Sequence, residues 1–298
     1  MAAAAAAVPA AAVVLPRGRV RTLGVLTMNM WAYLAAYELP HDDAEALEAR
    51  VRMDYPIAVD RVLGLGEAPT VRLQHGFSQT GSINRFERLL VWCHWVWFAV
   101  PHASVGYVLL RRPERFPAAA ARMYSVFDLG AIFYWMVPTA PPWYAARHGR
   151  FGPAEPAAPG DSEPAAPGDS VDASRAGGVR VRRMMIEYGE QFWGDRWPDL
   201  YDVLGGNPLA AMPSLHFATS LMGAHLLSEV DPVAGAVGWA YALTLGMALV
   251  YLGEHYAADL LGGAALAELV RNGAPALTPA ARRIAGGLET LARRTAAG

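Results

Sequence analysis

Two histidines and an aspartate carry the chemistry this sequence is equipped for. His216 stands in Pro213-Ser214-Leu215-His216, at the start of an apolar run, and His255 stands in Gly253-Glu254-His255-Tyr256-Ala257-Ala258-Asp259, at the start of another. Asp259 follows His255 by four residues, so on a helix the two point along one side. A carboxylate bonded to one imidazole nitrogen fixes the tautomer and leaves the other nitrogen as a nucleophile or base. His216 comes from a different helix and can carry a second proton. Ser214 lies at the N-terminal edge of that helix, where backbone N–H groups and the helix dipole suit an anion. Together these features suit phosphoryl transfer through a phosphohistidine.

Other classes of chemistry fit less well. Ser214, His255 and Asp259 as a hydrolase triad lack the Gly-x-Ser-x-Gly turn that exposes such a serine. His216, His255 and Asp259 have metal-like spacing, but no fourth ligand is evident. A non-catalytic transporter or scaffold leaves the paired histidines unexplained, because ionisable groups at membrane depth are costly and tend to mark function. His225, deeper in the His216 helix, and His94 and His102 read as packing or hydrogen-bonding residues.

The elements that position these residues are apolar helices. Hydrophobic residues make up 54% of the 298, with nine Trp and twelve Tyr. They gather into runs of roughly 16 to 25 residues, the lengths of membrane crossings. The fold class expected is all-α, a polytopic membrane helix bundle with spans at 22–39, 88–111, 121–139, 214–230, 234–253 and 256–271. Pro101 sits inside the second, where a kink is tolerable. Between His216 and His255 lie 38 residues, enough for one crossing out and one back, so both histidines return to one face. With six spans, the opposite face carries Arg17, Arg19, Arg21, Arg111, Arg112, Arg115, Arg122, Arg271, Arg282, Arg283, Arg293 and Arg294. The positive-inside rule makes that face cytoplasmic and puts the histidines on the extracytoplasmic face, in a multi-pass protein of the plasma membrane.

Outside the spans, 1–21 reads as a disordered tail, since its Arg residues follow the Ala run and a secretory signal has the reverse order. Residues 40–87 include an amphipathic stretch, HDDAEALEARVRMD. The direct repeat of EPAAPGDS in 153–170 is a flexible insert that cannot bury a core. Residues 179–203 are amphipathic and aromatic and are expected to fold over the site, and 272–298 form a cytoplasmic tail. A net charge of −2 gives no reason to expect a nucleic-acid partner, and the single cysteine, Cys93, excludes a disulfide framework within one chain.

PSLH and YLGEHYAAD resemble the second and third signature motifs of the type-2 phosphatidic acid phosphatase superfamily. The third motif commonly has an Arg six residues before its His, where this chain has Leu249. That departure, with Pro138-Thr139-Ala140-Pro141-Pro142-Trp143-Tyr144, is similar to the inositolphosphotransferase branch, which contains the fungal inositol phosphorylceramide synthases. The resemblance covers roughly 88–271 and implies a phosphatidic acid phosphatase type 2-like core with no metal or cofactor. It implies that His255 attacks phosphorus, Asp259 orients it, and His216 protonates the leaving oxygen and then activates the acceptor. Ser214 and backbone amides would hold phosphate oxygens. The substrate implied is a membrane lipid, a phospholipid or polyprenyl phosphate, with a headgroup that could contain inositol; a lipid phosphate phosphatase using water is the alternative. Arg112-Pro113 is the nearest match to the first motif, but parity places it away from the histidines. The missing cation is therefore sought among Arg147, Arg150, Arg182, Arg183 and Arg196. Asn207 and Glu190 are candidates for a polyol acceptor, with solvated-loop roles the simpler reading.

Overall fold

Leu215–Ser228 is a helix with nothing polar to show to water beyond a few residues, and it takes the centre of the molecule. In the computed structural model, which describes residues 2–38, 46–47, 49–78, 82–152, 179–204 and 209–295, helices build the fold and no strand forms among the described residues. In chain order they are α1 Ala2–Val14, α2 Arg19–Glu38, α3 Asp54–Leu63, α4 Pro69–Phe77, α5 Arg85–Val96, α6 Val100–Arg111, α7 Phe116–Met136, α8 Pro142–Arg147, α9 Met184–Trp193, α10 Trp197–Leu204, α11 Leu215–Ser228, α12 Pro232–Tyr251 and α13 Ala257–Thr295. The central α11 packs against α6, α7, α12 and α13, while α2 leans on α7 and α5 on α12.

Local sequence explains the joints. Asp231 accepts hydrogen bonds from Val233 N at 2.7 Å and Ala234 N at 3.0 Å, and Pro232 occupies the first turn, so α12 starts immediately after α11 ends. So short a link makes the two helices antiparallel neighbours. Small residues let the backbones close: a Cβ on Gly263 would lie 2.5 Å from the Ser214 carbonyl oxygen. That approach lets Ser214 N donate to the Asp259 carbonyl at 3.0 Å, so the starts of α11 and α13 are joined.

The bundle has two unlike ends. At one, Arg122 makes a paired contact with Glu229 at 2.7 and 2.8 Å, and Arg115 donates to the Glu229 carbonyl at 2.7 Å. Arg112 caps α6 at this same end. The other end holds His216 and His255 under a roof of short helices. Gln74 of α4 is a hub there, donating to Tyr251 O at 2.8 Å and to Arg182 O at 3.2 Å, and accepting from Arg182 N at 2.8 Å. Extended backbone at Arg52, Thr139 and Ala210 is tied side by side, Thr139 bridging both neighbours. This ties the Pro138–Tyr144 segment to the approach to α11.

The structure departs from the expected spans in several places. Span 88–111 is not one kinked helix but two, α5 and α6, separated by a turn at residues 97–99 with Pro101 in the first turn of α6. A proline there loses no helical hydrogen bond. Among the described residues, one helix, α12, is long and apolar enough by itself to cross a membrane. The α11 helix has 14 residues, about 21 Å at 1.5 Å per residue, and α13 continues far past residue 271. Residues 2–14, expected as a disordered tail, are helical because an alanine run has the highest intrinsic helix propensity. Residues 41–45 and 48 of the amphipathic stretch at 41–54, and the whole 153–170 repeat, lie outside the described residues. The chain on either side of the latter meets, with Val179 N donating to Gly152 O at 3.3 Å.

Candidate active site

His255 sits in the junction between α12 and α13, where Gly253 takes a φ of 79° that a side chain would resist. Its backbone N–H and that of Glu254 both donate to the Leu249 carbonyl at 3.1 Å, fixing the turn. His255 Nδ1 donates to Asp259 Oδ2 at 3.3 Å, and the same carboxylate oxygen accepts from Tyr256 N at 2.9 Å. The acceptor-only carboxylate assigns the proton to Nδ1 and leaves a lone pair on Nε2. His255 Nε2 lies 3.3 Å from His216 Nδ1. The structure therefore brings together the three residues that the spacing singled out, in one line from Asp259 through His255 to His216. Both His255 and Asp259 are buried.

The His216 ring is held between aromatic partners. Trp97 lies 4.0 Å away by ring centroids and His94 4.7 Å away. The break between α5 and α6 makes this possible, since it turns both residues onto the start of α11. Trp97 is itself anchored, its Nε1 donating to Thr219 Oγ1 at 2.9 Å.

His216 and His255 open onto a cavity of 280 Å³. Its walls combine an apolar side, including Met30, Leu34, Phe98 and Phe127, with a polar lip at Glu254, Trp143 and Tyr201. Burial raises the Glu254 carboxyl above its ordinary range, with Arg183 and His255 partly opposing that shift.

The arginine candidates separate sharply. Arg183 stacks its guanidinium 3.8 Å from the Trp143 ring centroid and donates to Tyr201 Oη at 2.8 Å. Its Nε is buried without a hydrogen-bond partner. Arg147 lies over the other part of the same lip, 5.7 Å from Trp143. Arg182, the adjacent residue, turns the other way: it pairs with Glu187 and Ser78 and lies 3.7 Å from the buried Glu87. Its charge is committed to carboxylates, because a buried Glu87 needs a cation. Arg150 faces Asp54 at 3.7 Å. Leu249 packs in the apolar core, so no cation comes from that turn.

Ser214 stands at the N-terminal edge of α11, as the sequence placed it. Its hydroxyl accepts from Phe217 N at 3.3 Å and caps α11; it is fully buried and does not line the cavity. A serine just before a helix is more useful as a cap than as a ligand. Glu190 is exposed on α9 and does not line the cavity, and Asn207 lies outside the described residues. His102 bonds Tyr124 at 3.3 Å and His225 bonds Glu268 at 2.7 Å, both as packing histidines.

One residue that sequence reasoning missed is Asp60 of α3. Its carboxylate accepts from Ala257 N at 3.1 Å and Ala258 N at 2.8 Å, capping the helix that carries Asp259 from 197 residues away. The signal was present: Asp60 shares the buried face of α3 with Ile57. Burial pushes its carboxyl up to about 6, against an ordinary value of about 3.9. The native state thus holds this proton more tightly than the unfolded chain. The stability contributed by the group is greatest at low pH and declines as pH rises through about 6. Thermal melts of the chain and of Asp60→Asn between pH 4 and 8 check this. The difference between them should shift against the native chain by on the order of 2–3 kcal/mol across that range, then level off.

Residues 57–270 match the model of the PAP2 superfamily. Over 179 residues the chain is 28% identical to the inositol phosphorylceramide synthase catalytic subunit aur1 of Schizosaccharomyces pombe, an alignment that takes in 58% of this chain and 37% of that protein. The chain thus spans little more than a third of that relative's length. No solved structure matches. The likeness sides with the inositolphosphotransferase-like branch to which Pro138–Tyr144 pointed. With the match running across most of its length and the two histidine motifs meeting at one cavity, the chain belongs to the PAP2 superfamily and is a phosphotransferase or phosphatase of that superfamily.

Proposed function

We propose that this chain is an integral-membrane phosphotransferase that acts on a lipid-linked phosphodiester through a phosphohistidine at His255. One observation carries the reading: His255 Nε2, freed by Asp259 on Nδ1, points directly at the second imidazole 3.3 Å away. Phosphorus enters between the two rings. The Nε2 lone pair forms an N–P bond as the P–O bond to the lipid alcohol breaks, and His216 gives its proton to the departing oxygen. The acceptor hydroxyl then gives its proton to His216 and attacks phosphorus. The N–P bond breaks and its electron pair returns to Nε2. Asp259 stabilises the cationic ring in between.

Membrane embedding is supported by large apolar side chains left exposed around the bundle, among them Phe98, Leu110, Ile132, Phe133, Val237 and Leu243. Their natural surroundings are acyl chains. The arginine-rich end then lies in the cytoplasm and the histidine end faces outward. The polar lip beside the apolar wall suits a lipid whose headgroup meets Arg183, Glu254 and Tyr201 while its tail lies against Met30, Leu34 and Phe127. Arg183 takes the part of the phosphate-holding cation. Arg183→Gln should lower kcat/KM by about 100-fold, the loss of one charged contact to a phosphoryl oxygen. Arg182→Gln should mainly lower the melting temperature, since it leaves the buried Glu87 carboxylate with its hydrogen bonds from Tyr251 and Asn84 but without a cation.

The relative's name supports phosphoinositol as the group moved. The test is to give the purified chain, in phospholipid vesicles, phosphatidylinositol with a ceramide acceptor, and separately phosphatidic acid. Transfer of the intact headgroup to the acceptor is expected. Release of free phosphate with no headgroup exchange overturns the transferase reading in favour of hydrolysis by water.

A further inference from the structure

His94 is harder to explain as a packing residue than the other histidines. It lies in the last turn of α5, is 9% exposed, and lines the cavity that His216 and His255 open onto. Its ring lies 4.7 Å from that of His216 at a tilt of 33°. Its Nδ1 is buried with no hydrogen-bond partner. Buried polar groups are almost always paired, and an apolar side chain of similar volume would fill this space without the desolvation cost. His102 and His225 each have the partner a packing histidine normally finds.

His94 is not the lone case at this cavity. Trp197, which also lines it, has a buried Nε1 without a partner, and Arg183, stacked on the lining Trp143, has a buried Nε in the same state. Indole and guanidinium nitrogens are donors only. Asp259 Oδ1, the unmatched acceptor of this site, lies behind His255 and does not line the cavity. The unmatched groups on the wall itself, His94 Nδ1 and Trp197 Nε1, are complementary to a ligand rich in acceptors, and a phosphoryl group supplies three such oxygens.

We infer that His94 is a third imidazole of the reaction site, donating from Nδ1 to a phosphoryl oxygen once substrate parts His216 from His255. The inference rests on the phosphohistidine reading above. Set beside the ring that must protonate the leaving oxygen, His94 holds the phosphoryl group against that ring. It also supplies a donor in a chain that has Leu249 where a cation would otherwise stand.

The experiment uses the full chain in detergent micelles with phosphatidylinositol labelled at phosphorus, following acid-labile label on the protein in single-turnover mixing. The wild type should label, and His255→Gln should not. His94→Leu, which fills the space without a donor, should slow labelling about 100-fold. It should melt no lower than wild type. His94→Asn, whose amide nitrogen stands near the position of Nδ1, should recover at least a tenth of the wild-type rate. If the wild type labels and His94→Leu labels equally fast, the role of His94 is overturned and the phosphohistidine reading stands. If the wild type never labels although product forms, that reading falls and takes this one with it. Should His94→Leu fail to fold, His94→Asn decides: folded but no faster than His94→Ala overturns the donor role.

Discussion

His255→Gln is expected to abolish turnover, with kcat falling by about 10⁴-fold or more, because the atom that forms the covalent bond is gone. The loss should appear in chemistry rather than in binding. Glutamine is smaller and neutral, and His255 contributes one contact to Asp259 and one to His216. The cavity walls and the helix starts do not depend on its ring. A folded His255→Gln that still binds labelled lipid in an equilibrium assay, yet exchanges no headgroup, is the result sought. Residual activity within ten-fold of wild type would mean that another group attacks phosphorus.

Asp259→Asn should be the second most damaging change, costing about 10³-fold in kcat. The carboxylate does two jobs at once. It accepts from His255 Nδ1 at 3.3 Å and from Tyr256 N at 2.9 Å through the same oxygen. An amide with its oxygen in the Oδ2 position keeps both contacts but brings no charge to the ring. Turned the other way, its nitrogen faces Tyr256 N and favours the His255 tautomer with the proton on Nε2, where attack must occur. A slow variant should still label on His255, but more slowly and to a lower level, because the cationic ring lacks the charge that stabilised it. Comparing kcat with the rates of label formation and decay separates the two effects. Equal activity of Asp259→Asn and wild type would refute the orienting role.

The sequence carried the local parts of this site and concealed the distant ones. His255 and Asp259 are four residues apart, close enough to meet across the start of α13, and a second apolar run brings back His216; the turn at Gly253 that sets the His255 ring ahead of the helix is also local. Arg182 and Arg183 are neighbours of identical type, and nothing in their order says that one is bound by Glu87 and Glu187 while the other lies on Trp143. That choice is made by α5, which carries Glu87, and α8, which carries Trp143, both approaching from elsewhere in the chain. Asp60 caps α13 across 197 residues, a relation no window of sequence can contain. The all-helical class was legible in the apolar runs, but helix ends were not. The run at 88–111 looks continuous in hydropathy, and its break at 97–99 depends on what Trp97 and His94 find on α11. At Ser214 anion binding and helix capping ask for the same residue at the same place, so sequence alone does not separate the two.

The meeting of Gly152 and Val179 has a use beyond the fold. Where two flanks of a chain touch, the segment between them is a closed excursion, and its length enters the stability only through a slowly growing logarithm. The octapeptide duplication at 153–170 lies within that excursion, so its added length costs little stability. For the experimenter the same point is a port. Residues 153–178 offer a place to exchange for a short glycine linker in crystallisation, or for an epitope or a fluorescent domain, whose accessibility on intact cells would report which side of the membrane the two histidines face.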